Sequence, residues 1–276
     1  MARHAFALGR TYGLALLLLL LVGFPLYWMT LTSLKPQTEV FRVPPTWVPA
    51  APTIEHYVNL FRLTDFGLLF LNSLQVCLMS TVMALAVGVL GAYALARFRV
   101  RGKEAYGRLV LLAYMFPGAL LVIPLLLLFR QLGLTNSHLG LSLAYLTFSL
   151  PFVMWVMRDF FASVPVDLEE AALIDGATRL GALWDVVLPQ AVPGIIATGI
   201  FAFLFAWNEY LFALILVSDE SLRTLPPGMM RFVSSTDTNW GLIMAASTLA
   251  TLPMALAFGL VQRYLVTGMG AGGVKG

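Results

Sequence analysis

Long apolar runs separated by short charged stretches dominate the chain. Six runs approach or exceed the roughly 20 residues that a helix needs to cross the hydrocarbon core of a bilayer. They lie at about residues 14–34, 68–95, 109–129, 139–161, 194–217 and 242–266, and the third contains no acidic or basic residue. Lipid offers no hydrogen-bond partner to a bare backbone, so these runs are expected to be helices. Their leucine-rich continuity lacks the alternation of barrel strands. The pattern predicts an all-α membrane protein, a single transmembrane domain over residues 1–276 with six transmembrane helices. The first run follows basic residues as a signal peptide would. No small-x-small cleavage site succeeds it, and its apolar character continues to Thr32, so it reads as a retained span.

Composition agrees. Hydrophobic residues make up 59% of the chain and charged residues 11%, against about 25% charged in a soluble domain. The net charge of +3 is explained by topology rather than by nucleic acid. With the N-terminus inside, most of the 17 basic residues fall in inner segments, and Arg97, Arg99, Arg101, Lys103 and Arg108 crowd one short loop between spans two and three. Both termini are therefore expected in the cytoplasm. The single cysteine, Cys77, cannot form an internal disulfide. The scattered His4, His56 and His138 do not have metal-ligand spacing, so neither a metal site nor a cofactor is expected.

Proline interrupts several runs, at Pro25, Pro117, Pro124, Pro151 and Pro253. Each removes a backbone hydrogen bond and favours a kink. The segment between spans one and two is long and proline-rich, and should be extended before a short amphipathic stretch from Ile54 to Phe61.

The segment between spans four and five, about residues 162–193, is too long for a turn and concentrates acid. Pro165 should open a helix whose first turn carries Asp167, Glu169 and Glu170, where the helix dipole favours negative charge. Gly176 should end it. A second short helix is expected from about Arg179 to Leu188, terminated by Pro189. The expected product is a helical hairpin on the inner membrane face, either a docking element or a plain interfacial hairpin.

This hairpin resembles the loop signature of binding-protein-dependent ABC importer permeases. The residues are Glu170-Ala171-Ala172, Gly176, Val186 and Leu188-Pro189, with the family's spacing kept and valine where isoleucine is usual. Asn72-Ser73-Leu74, the stretch from Ala92 to Arg97, Leu150-Pro151-Phe152 and Trp207-Asn208-Glu209 are similar to the carbohydrate subfamily, and the tail Gly272-Gly273-Val274-Lys275-Gly276 resembles that of the smaller permease subunit of maltose-type transporters. The resemblance implies a bacterial inner-membrane permease that works with a homologous second permease, two ATP-binding subunits and an extracytoplasmic solute-binding protein, importing a sugar by alternating access. It implies that the hairpin is a coupling helix contacting an ATPase through Glu170, Ala171, Ala172, Asp175 and Gly176, with Leu188 and Pro189 completing the motif. The tail, Gly272 to Gly276, would reach the ATPase dimer interface.

The chain has no phosphate-binding loop of its own, because none of Lys35, Lys103 and Lys275 precedes Ser or Thr. It lacks the clustered catalytic groups of a membrane enzyme. An ion-coupled secondary transporter is the alternative. It would be expected to carry several carboxylates within its spans, and Glu209 is nearly alone in that position. A carboxylate in a span is a functional candidate by default. Trp207, Asn208, Glu209 and Tyr210 are therefore the candidate translocation-path residues, with hydration of Glu209 at the interface as the plainer reading.

Overall fold

The computed structural model describes residues 2–98, 101–233 and 238–272. Among these residues the regular structure is helical, without strands. In chain order it comprises α1 (Ala2–Ser33), α2 (Gln37–Val40), α3 (Glu55–Leu63), α4 (Phe66–Arg97), α5 (Lys103–Met115), α6 (Gly118–Gln131), α7 (His138–Ser163), α8 (Val166–Ile174), α9 (Arg179–Ala182), α10 (Leu188–Trp207), α11 (Leu211–Leu216), α12 (Leu225–Met229) and α13 (Trp240–Gly272). A π-helical turn, Leu183–Val187, joins α9 to α10.

Among the described residues, five stretches are long and apolar enough to cross a membrane as single helices: Arg10–Ser33, Phe66–Arg97, His138–Ser163, Arg179–Trp207 and Trp240–Leu260. The third apolar run is different. It forms α5 and α6, bent by 95°, and makes a sixth span only if the bent pair is taken together. The cause is local. Proline disfavours the helical region for the residue before it, and Phe116 takes φ −71°, ψ 130° while Pro117 itself takes φ −60°, ψ 112°. Two successive extended residues turn the chain. Pro25, Pro124 and Pro151 sit inside continuous helices.

The chain divides into two compact units, residues 1–67 with 228–253 and residues 68–227 with 254–276. In the first, the segment after α1 is tied down rather than loose. Lys35 is buried, donates to the Thr46 carbonyl at 2.7 Å and lies 4.5 Å from the Trp28 ring centroid. Glu39 accepts from the Thr46 hydroxyl and from the Ala50 N–H. The Thr46 hydroxyl, its foremost cause, holds the Glu39 carboxyl below the usual range. His56, on the amphipathic α3, reaches the Lys35 carbonyl at 2.8 Å.

The second unit carries the hairpin between α7 and α10. Its core gathers Ala84, Val89 and Tyr93 from α4, Val153, Met157 and Phe161 from α7, Leu183 and Val187 from the π turn, and Ala191 and Ala202 from α10. Small residues let these helices approach closely, as in other membrane bundles. A Cβ on Gly88 would stand 2.5 Å from Val153 Cγ1, and one on Gly194 would stand 2.6 Å from the Phe160 ring.

Candidate functional site

The hairpin begins at α8. Proline at the N-cap, Pro165, needs no N–H, and Asp167 and Glu169 occupy the first turn. The helix ends in a Schellman motif. The Ala177 N–H bonds the Ala172 carbonyl at 2.9 Å, the Gly176 N–H bonds Leu173 at 3.2 Å, and Gly176 has φ +92°. This left-handed position is why a glycine stands there. Thr178 then caps the second arm, accepting from the Gly181 N–H at 3.0 Å.

The second arm does not stop at Pro189, contrary to the expectation above. It passes through the π turn and continues as α10 to Trp207. A proline ring clashes with the carbonyl four residues back, here that of Asp185. The turn containing Asp185 is widened to π geometry, a recognised form of helix bulge, so the helix goes on. The hairpin's second arm and the fifth span are one continuous element.

Within α8, neighbouring carboxylates face different surroundings. Glu169 is 3% exposed, whereas Glu170 is exposed. Glu169 Oε2 lies 2.9 Å from Arg97 Nε, an ion pair by distance although the two are not aligned as a hydrogen bond. Its other oxygen accepts from the Tyr93 hydroxyl at 2.5 Å, and Arg97 Nη2 donates to the Val164 carbonyl at 2.8 Å. Arg179 lies over the Phe98 ring at 5.6 Å. Arg97, Phe98, Glu169 and Arg179, with Val166, Glu170 and Leu173, line a cavity of about 630 Å³. The sequence reading treated Arg97 as a topology signal and Glu169 as a helix-dipole acid, and so missed their pairing. The available hint was Tyr93 and Arg97 on one face at the end of a span.

Of the motif residues, Glu170, Ala171, Asp175, Gly176 and Pro189 are exposed, and Ala172 and Leu188 are half-buried. Ile174, Leu180 and Trp184 are 86%, 60% and 64% exposed. This apolar surface is unusual for a hairpin bounded only by water. Gly272 is the last residue of α13, and Gly273 to Gly276 lie outside the described residues.

The four candidate path residues do not form one cluster. They mark a break: α10 ends at Trp207, and α11 starts at Leu211. Trp207 is buried against Phe203 and Phe70. Asn208 is exposed and donates to the Leu204 carbonyl at 2.8 Å. Tyr210 is exposed. Glu209 accepts from the Phe212 and Ala213 N–H groups at 2.9 and 3.1 Å, which anchors the start of α11. It also lines a cavity of about 360 Å³ with Tyr114, Phe116, Thr147, Phe148 and Phe205. This cavity lies where the bent third run meets the broken fifth.

At the opposite end of the unit, Asn72 donates to the Ser221 and Arg223 carbonyls at 2.9 and 3.0 Å, and the Ser73 hydroxyl accepts from the Leu225 N–H at 2.7 Å. The Asn72-Ser73 pair is thus the clip that holds the segment after α11.

Apolar spans, two helix breaks around a largely aromatic cavity that holds Glu209, and a helical hairpin fused to a span define a polytopic membrane transport component. The sequence profile of "Binding-protein-dependent transport system inner membrane component" matches residues 84–270. The chain belongs to this family. It is 39% identical over 96% of its length, and 95% of the relative's, to the inner membrane ABC transporter permease protein YcjP of Escherichia coli K12. It is 40% identical to the sulfoquinovosyl glycerol transport system permease protein SmoH of Agrobacterium fabrum, over 92% of this chain and 89% of that one. It is 36% identical to the diacetylchitobiose uptake system permease protein DasC of Streptomyces coelicolor, over 97% and 98%. Its fold matches a chain of a bacterial ABC transporter involved in the import of the acidic polysaccharide alginate, with a TM-score of 0.82, 22% identity and coverage of 96% and 98%.

Proposed function

We propose that this protein is the permease subunit of an ATP-driven importer for a small sugar or oligosaccharide. It would pair with a homologous permease, two ATPase subunits and an extracytoplasmic solute-binding protein. The relatives named for sulfoquinovosyl glycerol and diacetylchitobiose support the substrate class. The observation that carries the reading is the hairpin: Glu170, Ala171, Asp175 and Gly176 exposed beside Ile174, on an arm that continues into a span.

On this reading the hairpin lies on the cytoplasmic side, as do both termini. The exposed residues form the ATPase contact, with Ala172 behind them and Leu188 and Pro189 at the root. The tail from Gly272 to Gly276 reaches the ATPase dimer. ATP binding stabilises one of two bundle arrangements over the other, and that difference in affinity is all the partner needs to supply. Because α9, the π turn and α10 are continuous, displacing the hairpin displaces the fifth span. The cavity around Glu209 belongs to the path. Aromatic faces suit the apolar faces of a sugar, and a carboxylate accepts from its hydroxyls.

A pull-down from gently solubilised membranes tests the reading. The tagged wild type should bring down an ATPase subunit and a second permease, and Gly176→Asp should lose the ATPase while keeping the permease. Recovery of the wild-type chain alone at equal expression would defeat the proposal.

A further inference from the structure

We infer that the buried pair Arg97–Glu169, with Tyr93, is a positioning device that makes the second span move with the hairpin. The inference rests on the reading of the hairpin as the ATPase contact. The hairpin has two arms, and only one is covalently part of a span: the second arm becomes α10 through the π turn. The first arm, α8, follows α7 through an extended residue, Val164, at φ −74°, ψ 128°. Nothing in the chain's connectivity ties α8 to α4, whose Arg97 is far away in sequence.

The side chains make that tie. Tyr93 and Arg97 stand one turn apart on α4, and they reach α8 and the residue that leads into it. Tyr93 Oη and Arg97 Nε hold the two oxygens of Glu169, at 2.5 and 2.9 Å. Arg97 Nη2 holds the Val164 carbonyl just before α8, at 2.8 Å. The Arg97 and Glu169 side chains are 6% and 4% exposed, so salt and water barely screen them. A buried ion pair is poor evidence of stability, because an apolar pair of similar volume often does as well. What charge adds is direction: a carboxylate anchored at both oxygens fixes the rotation of α8 about its axis. That rotation keeps Glu169 inward while Glu170, the next residue, stays outward. A push on the exposed face of α8 therefore reaches α4 through this contact, and α10 through the backbone.

The test uses the assembled transporter in proteoliposomes, with sugar uptake and ATP hydrolysis measured together. The variant is the double substitution Arg97→Met with Glu169→Leu, which keeps the volume and leaves no unpaired charge. The expected result is normal co-purification of the ATPase and near-normal hydrolysis. The sugar transported per ATP should fall roughly fivefold or more, the range of ordinary coupling between sites. An unchanged ratio would overturn the inference. Loss of assembly at equal expression would overturn it too, since the pair would then serve only the hairpin's fold. Failure of the wild type to bind an ATPase would instead strike the docking reading, so the two failures are distinguishable.

Discussion

Gly176 separates two roles that one substitution can confuse. Its φ of +92° is a backbone demand, and a Cβ there would meet nothing within 4 Å. Gly176→Ala therefore costs only the left-handed strain, about 1–2 kcal/mol. Gly176→Asp adds a charge to the exposed surface proposed as the ATPase contact, which already holds Glu170 and Asp175. Alanine is expected to reduce uptake modestly and leave the ATPase bound, whereas aspartate should lose it. Uptake assays beside co-purification check the difference, and equal loss in both variants would mean that only the turn matters. At this scale the motif was legible, because its spacing survives in the chain. The burial of Glu169 was not. Two adjacent glutamates look alike in a sequence, and what separates them is Arg97, brought close only by the fold.

Helices here are shaped by where proline can be accommodated. Pro117 breaks the third run, whereas Pro189 is absorbed by a π turn and Pro151 by α7. The sequence marks each proline as a possible break but does not tell which carbonyl can shift, because that depends on neighbouring helices. Five of the six apolar runs fall in single helices long enough to cross a membrane, as hydropathy suggests, whereas the bend of the third run and the true end of the hairpin emerge only in the fold. Packing between helices gives a sharper expectation. Gly88→Ala would press a methyl group to 2.5 Å from Val153 Cγ1, and Val153 is fully buried with a stiff β-branched side chain. Destabilisation of about 1–3 kcal/mol is expected for such overpacking. Gly13→Ala, where a Cβ meets nothing within 4 Å, should be neutral or slightly stabilising. Thermal unfolding in one detergent distinguishes them.

Across the second unit, the hairpin pair and the Asn72 clip both involve α4, at opposite ends of that helix. The same unit holds the cavity that collects α5, α6, α7 and the break after α10. Glu209→Gln keeps an acceptor for the start of α11 but removes the charge facing this cavity. If sugar passes here, the concentration of loaded binding protein giving half-maximal uptake, or the maximal rate, should change severalfold while ATPase assembly persists. Unchanged uptake would leave Glu209 as a helix anchor alone. The sequence singled out Glu209 because a carboxylate in a span is costly. It could not show that Trp207 turns into the core, since a tryptophan beside a glutamate serves packing and path equally well on paper.

The π turn also preserves an angle. An α-helix advances about 100° per residue, and a π turn carries one residue more than the α turn it replaces. The five residues from Leu183 to Val187 therefore take up an extra residue within about one turn, and the hairpin and the rest of α10 keep nearly the facing that a regular helix one residue shorter would give them. Deleting one of the five, such as Asp185, would let the helix close as regular α with little change of facing. Deleting a residue from the regular helix beyond, such as Ile196, would swing everything before it by about 100° about the axis. Every other residue would still be present, but each residue of the hairpin would face the wrong neighbour. The facing of the hairpin is thus stored not only in Glu170 and Gly176 but in the number of residues that separate it from the span.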